Sequence, residues 1–487
     1  MARTIVQRFL AIFSSNVIGL LATFLITPII VRVFGSRLYG DYAFMLSVLG
    51  VLMLFVDAGV FDGLRKYLIE SDRSPEWKDL VFAFYSRVAA ALIAAVTVTI
   101  IILNTTGIIG RYLGEEFVLY FYVLAVLILA EQSFSIVRGT LMGFSRERAS
   151  ESLYIVSYII FAVVGLGLVF SGFGVAGILA GRAISRIIVT IAGLVIISRI
   201  VDYSYLTSVT PDEFPSTRLL TFNINSLILF GLYVSMLHAD IILIQFIEGS
   251  RSTGYYKAAL TLAEFLWFVP RIVQIALLHS MSDLWSQGRD DEITAISARS
   301  TRYTLLFTIL LTVGLGALAD PTISTYYGNE FEPAVTPLLL LLPGALGFAA
   351  ARPIFAIGQG KGELRYLIYA TGTAALLNIV LNLLLIPSFG IQGAAVATST
   401  GYMSMFVLHS LSAKKIGFDP LADLRLPRIA ATACIAAIPI FLLAAVIRSD
   451  LLSLMIVPPV GLGAYAIAAV YSGAVSVDEV LEIRNQL

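Results

Sequence analysis

The chain has 487 residues, 58% of them in the apolar set AVILMFWYC and 13% charged, with a mean hydropathy of +0.91. Soluble domains hold about 45–50% apolar and about 25% charged residues, so a water-soluble enzyme is excluded. Lys and Arg number 32, as do Asp and Glu, which leaves no overall basic field to hold nucleic acid.

In chain order, fourteen apolar runs have the length of a bilayer-crossing helix, about 20 residues. Their approximate limits are 9–33, 41–64, 80–104, 117–137, 152–171, 174–198, 219–247, 254–282, 301–319, 334–356, 365–387, 391–413, 429–447 and 452–472. Gly172 to Gly174 and Pro387 to Gly390 break two otherwise continuous stretches into pairs. The first run exceeds a signal-peptide core and lacks a small-residue cleavage site, so it is expected to be retained. The alternation of a membrane β-barrel is absent. The expected fold is an all-α polytopic membrane protein with fourteen transmembrane helices. Outside the membrane core, twenty-one Lys and Arg fall on the N-terminal side and six on the other. By the positive-inside rule both termini are cytoplasmic, in a multi-pass protein of the cell membrane. Loops are too short for a folded catalytic domain. Ser476 and Glu479 have capping-box spacing ahead of a short tail helix. The three histidines (His238, His279, His409) and Cys434 are far apart, so neither a zinc site, nor a disulfide scaffold, nor a Cys/His nucleophile pair is available. No cofactor is implied.

An internal repeat organises the spans. Gly35-Ser36-Arg37-Leu38-Tyr39-Gly40-Asp41-Tyr42 and Gly249-Ser250-Arg251-Ser252-Thr253-Gly254-Tyr255-Tyr256 match at five of eight positions with an offset of 214. Phe173-Gly174-Val175-Ala176-Gly177 is echoed by Phe389-Gly390-Ile391-Gln392-Gly393, and Arg138 to Gly143 by Arg352 to Gly358. The expected organisation is an N-lobe of spans 1–6 (1–199), an interlobe linker (200–217), a C-lobe of spans 7–12 (218–413), and spans 13–14 with a cytoplasmic tail (414–487). Parallel repeats of this kind are a transporter architecture, with the substrate path at their interface.

With the 6+6+2 spans, the Gly35–Tyr42 turn, the Asp57-Ala58-Gly59 step followed by Arg65-Lys66-Tyr67, and the Gly143 turn, the chain resembles a known family over essentially its whole length. That family is the polysaccharide flippase branch of the multidrug/oligosaccharidyl-lipid/polysaccharide exporter superfamily. The resemblance implies a V-shaped pair of lobes that opens alternately to either side and moves a polyprenyl-linked saccharide to the outer leaflet. It brings no enzymatic residues. A drug or organic-cation antiporter on the same scaffold is the alternative, and it would need an acidic cleft.

Ionisable groups at membrane depth cost at least about 2.5–3.5 kcal/mol each on insertion scales and so face protein or a wet cavity. Arg182 and Arg186 lie four apart, on one face of span 6 and about 6 Å from each other. They either hold a substrate phosphate or pyrophosphate or pair with Glu131 and helix-end carbonyls. Asp57 and Arg271 occupy matching places in the two halves at the 214 offset, a gating pair across the cleft in which a substrate phosphate binding Arg271 competes with Asp57, or a static bridge. Glu264 precedes Arg271 by two turns on the same face. Asp240 in span 7 is a candidate to bind H+ or Na+ and couple transport, as are Asp57 and Glu264. Arg87 and Asn16 complete the candidate substrate contacts, with Asn223, Asn225 and Gln274 as further sugar partners or interhelical ties. Gly177 and Gly181 form a close-packing step, and Pro28 and Pro270 can bend spans 1 and 8.

Overall fold

Hydrocarbon offers no water to backbone N–H and C=O groups, so a lipid-exposed spanning segment has to satisfy them internally as a helix or a closed barrel. The computed structural model of this chain is helical, with no strand among the described residues. It describes residues 2–70, 76–222, 224–476 and 479, and their side chains except at 2–16, 225, 226 and 279. Among these residues eleven helices are long and apolar enough to cross a membrane. Large apolar side chains such as Leu25, Val163, Leu384 and Ile467 stay exposed along them, which makes the chain a multi-pass membrane protein.

The principal helices are α1 (Ala2–Asp57), α2 (Val60–Tyr67), α3 (Trp77–Thr105), α4 (Glu115–Gly143), α5 (Glu147–Leu168), α6 (Gly174–Ile197) and α7 (Ile224–Ile247). They continue with α8 (Ser250–Glu264), α9 (Phe268–Ser286), α10 (Asp290–Ala317), α11 (Val335–Lys361), α12 (Leu364–Ile416), α13 (Leu426–Val446) and α14 (Asp450–Tyr471). Three of the eleven membrane-length stretches, Val17–Asp57, Glu147–Ile197 and Leu364–Ile416, run to 41, 51 and 53 residues and each holds two of the apolar runs. Each bends at a glycine with positive φ: Gly35, the Gly172/Gly174 pair and Gly390.

The repeat is written into the backbone at those glycines. Gly35 has φ 63 and ψ −177, and Gly249 has φ 82 and ψ −180. Gly174 has φ 53 and ψ −136, and Gly390 has φ 56 and ψ −137. Such combinations are essentially restricted to glycine.

Two spans differ from the expected continuous helices. Span 2 is broken after Asp57, where Ala58 (φ 41) and Gly59 (φ 82) are left-handed before α2 starts. Span 8 is broken by a 3₁₀ turn at Phe265–Trp267, immediately after Glu264. Discontinuous helices in a transporter expose backbone groups and side chains at membrane depth. In each case an acidic residue ends the first segment.

By internal contact the chain forms two compact units, Met1–His238 and Ala239–Leu487. The division falls inside α7, downstream of the expected linker at 200–217. In the first unit that linker is folded against α2 and α3: Phe214 packs on Trp77 and Phe84 at ring-centroid distances of 5.4 and 5.5 Å. The Tyr85 hydroxyl donates to the Leu219 carbonyl at 3.1 Å. Gly181 of α6 backs onto the Gly165 backbone of α5, the close helix approach that small residues allow.

In the second unit the Trp267 indole donates to the Ala345 carbonyl at 3.0 Å and stacks among Phe348 and Tyr402. The tail closes on α10, where fully buried Arg302 pairs with Asp423 and Glu479. Ser476 and Glu479 make the reciprocal capping bonds, the Ser476 amide donating to the Glu479 carboxylate at 2.9 Å and the Glu479 amide to the Ser476 hydroxyl at 3.3 Å.

Candidate functional site

In the first unit, α4 and α6 bring Glu131 to Arg182 and Arg186. One carboxylate oxygen takes the Arg182 Nε at 2.6 Å and the other lies 3.0 Å from the Arg186 Nε. Arg186 also donates to the Ser157 hydroxyl at 2.5 Å and lies over the Phe134 and Tyr154 rings. The same Tyr154 ring carries Arg138 at 4.2 Å, and Arg138 pairs with Glu151 at 2.8 Å. The pairing with Glu131 is thus the contact that the arginine pair makes. The guanidinium groups are tied to a carboxylate, yet one carboxylate cannot neutralise two. Arg182 keeps 30% of its side chain exposed against 10% for Arg186, so the outer guanidinium is the one an incoming anion could reach.

Asp57 stands at the break in span 2 and accepts a hydrogen bond from the Ser135 hydroxyl of α4 at 2.9 Å. Arg87 is engaged with backbone: it donates to the Ala83 carbonyl at 3.2 Å and to the Ser208 carbonyl at 2.9 Å, tethering the folded linker. Its Nη2 is buried and has no hydrogen-bond partner among the described residues. The Asn16, Asn223 and Asn225 side chains lie outside the described residues.

In the second unit, Asp240 is fully buried and is held by neutral groups. The Tyr256 hydroxyl donates to it at 2.6 Å, the Thr398 hydroxyl at 3.1 Å and the Ile241 amide at 2.7 Å. Asn378 donates to Thr398 at 3.2 Å, and Asn382 to the Asn378 carbonyl at 2.9 Å. The Oδ1 atoms of Asn378 and Asn382 are buried without a hydrogen-bond partner among the described residues. The oxygen chemistry here, a carboxylate beside hydroxyls, suits a hard cation or a proton rather than a soft metal. No group of three His, Cys, Asp or Glu side chains occurs among the described residues.

Arg271 is exposed and has no hydrogen bond or ion pair among the described residues. Glu264, two turns away, is paired with Lys257 at 3.5 Å. Gln274 is used internally, accepting from Arg352 at 2.7 Å. Asp57 and Arg271 belong to different units, each with its own surroundings.

The sequence reading missed Tyr256, Thr398, Asn378 and Asn382. A signal was present: two asparagines four apart in an otherwise apolar span share a helix face, and Tyr256 closes the repeated glycine turn.

Comparisons with known proteins give this geometry a frame. Residues 5–276 match the family described as polysaccharide biosynthesis protein. The probable low-salt glycan biosynthesis flippase Agl15 of Haloferax volcanii is 24% identical over 421 residues, covering 84% of this chain and 83% of that protein. The lipid II flippase MurJ in an inward closed conformation superposes with a TM-score of 0.76 at 18% identity, over 95% of this chain and 98% of that one. An outward-facing multidrug resistance MATE family transporter of the MOP superfamily superposes with a TM-score of 0.60 at 16% identity, over 85% and 95% of the two chains. At such identities these two structures speak for the fold.

Proposed function

The chain belongs to the polysaccharide biosynthesis protein family, and on that premise we propose that it is a flippase for a saccharide linked to a polyprenyl phosphate or pyrophosphate. It carries this substrate across the cell membrane for glycan assembly, by alternating access, with both termini in the cytoplasm as the Lys and Arg excess favours. The observation that carries the reading is the sharing of Glu131 between Arg182 and Arg186, which leaves one guanidinium charge over at membrane depth. A phosphate ester is the substrate group that such a charge attracts, and a cationic drug is the one it repels. Exposed Arg271 supplies a second anion contact. Agl15, named a glycan biosynthesis flippase, and MurJ, named a lipid II flippase, support a lipid-linked saccharide as cargo.

Energy input is assigned to Asp240: binding of H+ or Na+ among Asp240, Thr398, Asn378 and Asn382 changes the charge of the second unit from within. Asp57 and Glu264, each at the end of a broken span, act at the gates. Arg87 tethers the linker through Nη1, with Nε on a carbonyl of its own helix, and keeps Nη2 for a substrate oxygen.

The test is reconstitution in proteoliposomes with a fluorescent polyprenyl-phosphate saccharide. Arg271→Ala and Arg182→Gln are each expected to slow translocation about tenfold, equivalent to about 1.4 kcal/mol. The second variant leaves Glu131 balanced by Arg186 and removes only the surplus charge. Wild-type rates in both folded variants, or uptake of organic cations driven by a proton gradient, would overturn the assignment.

A further inference from the structure

The two parts of α12, before and after Gly390, run antiparallel. The Ser412 hydroxyl donates to the Tyr366 carbonyl at 3.2 Å, and Thr371 meets His409 at 3.2 Å. The first turn of one part therefore lies beside the last turn of the other, and between them is a cavity of about 380 Å3. Arg365 and Lys415 stand at one end of it, on the side where Lys and Arg are in excess. Tyr369, Thr373, Leu408 and Leu411 line it farther along the helices. Thr373 is eight residues along the helix from Arg365, about 12 Å farther on at 1.5 Å per residue.

The lining therefore grades from two cations through a phenol and a hydroxyl to leucines. No carboxylate lines the cavity. Lys415 makes no hydrogen bond or ion pair among the described residues, and Arg365 makes contact with the Tyr369 hydroxyl at 3.4 Å and its ring, with Glu363 a weaker electrostatic neighbour that forms no ion pair with it. The neighbouring cations are committed elsewhere: Lys414 to Asp419 at 3.8 Å, and Lys361 to the Ile416 carbonyl at 2.6 Å. Tyr369 and Leu411 are 59% and 57% exposed, so the cavity opens sideways onto the apolar outer surface of the helix pair.

Two unspent cations above an apolar wall match one chemistry, a phosphate ester carried on a hydrocarbon chain. Basic pockets between membrane helices take anionic lipid heads in this way. We infer that this cavity binds the head of a phosphate-bearing lipid. Arg365 and Lys415 hold the phosphate, and Tyr369, Leu408 and Leu411 lie along the first carbons of the chain. The same ester is presented by an anionic phospholipid of the bilayer and by a polyprenyl phosphate. The inference does not depend on what the chain transports.

The experiment uses the full chain in phosphatidylcholine nanodiscs, titrated separately with phosphatidylglycerol and with undecaprenyl phosphate, with bound lipid counted by native mass spectrometry. The wild type is expected to retain at least one of the two lipids, and Arg365→Gln/Lys415→Gln to lower its occupancy about tenfold. Arg365→Lys/Lys415→Arg keeps the charge and is expected to keep the lipid, which separates lost binding from lost folding. Lys414→Gln, which alters the committed neighbour, is expected to bind as the wild type does. Retention of phosphatidylglycerol alone assigns the site to a bilayer lipid, of undecaprenyl phosphate alone to the carrier, and of both to the phosphate as such. The site is overturned if neither lipid is retained, if the double Gln variant binds like the wild type, or if Lys414→Gln loses the lipid equally.

Discussion

The two halves of the repeat build their buried polar clusters from opposite materials. In the first unit the cluster is ionic, with Glu131 between Arg182 and Arg186. In the second it is a single carboxylate, Asp240, among hydroxyls and amides. Two positions correspond and the carboxylates do not: Tyr42 becomes Tyr256 at the offset of 214 and Arg182 becomes Thr398 at the offset of 216 set by Gly174 and Gly390, whereas Glu131 lies in span 4 of its half and Asp240 in the first span of the other. A duplicated backbone has therefore kept its glycine bends while the charges on it diverged. Charge that is paired within the protein is fixed, whereas a carboxylate whose hydrogen-bond partners are neutral is the group that a small cation can switch. On the proposed function the first unit suits an anionic substrate and the second suits a coupling ion.

The hardest blow to this contrast should come from Glu131→Gln. Leaving two guanidinium groups without their carboxylate is expected to cost about 3–5 kcal/mol, read as a loss of thermal stability in detergent. Replacing Glu131, Arg182 and Arg186 together by apolar residues should recover most of it. The common backbone is probed by Gly174→Ala and Gly390→Ala. Each forces a Cβ onto a conformation that only glycine adopts, at about 1–3 kcal/mol, and a repeat that is truly backbone-deep demands equal losses from both. Smallest in stability, and most telling in function, is Asp240→Asn. The amide oxygen still accepts the Tyr256 and Thr398 bonds, but the NH2 group cannot accept from the Ile241 amide, so stability should fall by about 1–2 kcal/mol, while translocation should cease to respond to an imposed Na+ or H+ gradient. A stability loss as large as that of Glu131→Gln would erase the distinction between the clusters.

Much of this was legible before any coordinates. Arg182 and Arg186 could be assigned to one helix face because 3.6 residues per turn leaves no other arrangement. The breaks at Ala58 and at Phe265–Trp267 were not legible, since the apolar runs 41–64 and 254–282 pass through both and neither break holds a proline. Ala58 adopts a left-handed conformation that its residue type disfavours, and only packing imposes that. The tie from Arg87 to the linker was not legible either, because the Ser208 carbonyl that it holds lies 121 residues away in the chain.

Taken by itself, the amino-acid order determined that the chain lives in a bilayer as helices, that it is duplicated, and where its glycine bends fall. Those properties follow from transfer free energies and from the φ range open to a residue without a Cβ. Tertiary structure alone decided which donor meets which acceptor: that one glutamate serves two arginines, that Tyr256 and Thr398 bind Asp240 with Asn378 behind Thr398, and that Arg271 and Lys415 are left unpaired among the described residues. Such pairings depend on distances between helices remote in the chain, and a one-dimensional pattern of hydropathy carries no measure of those distances.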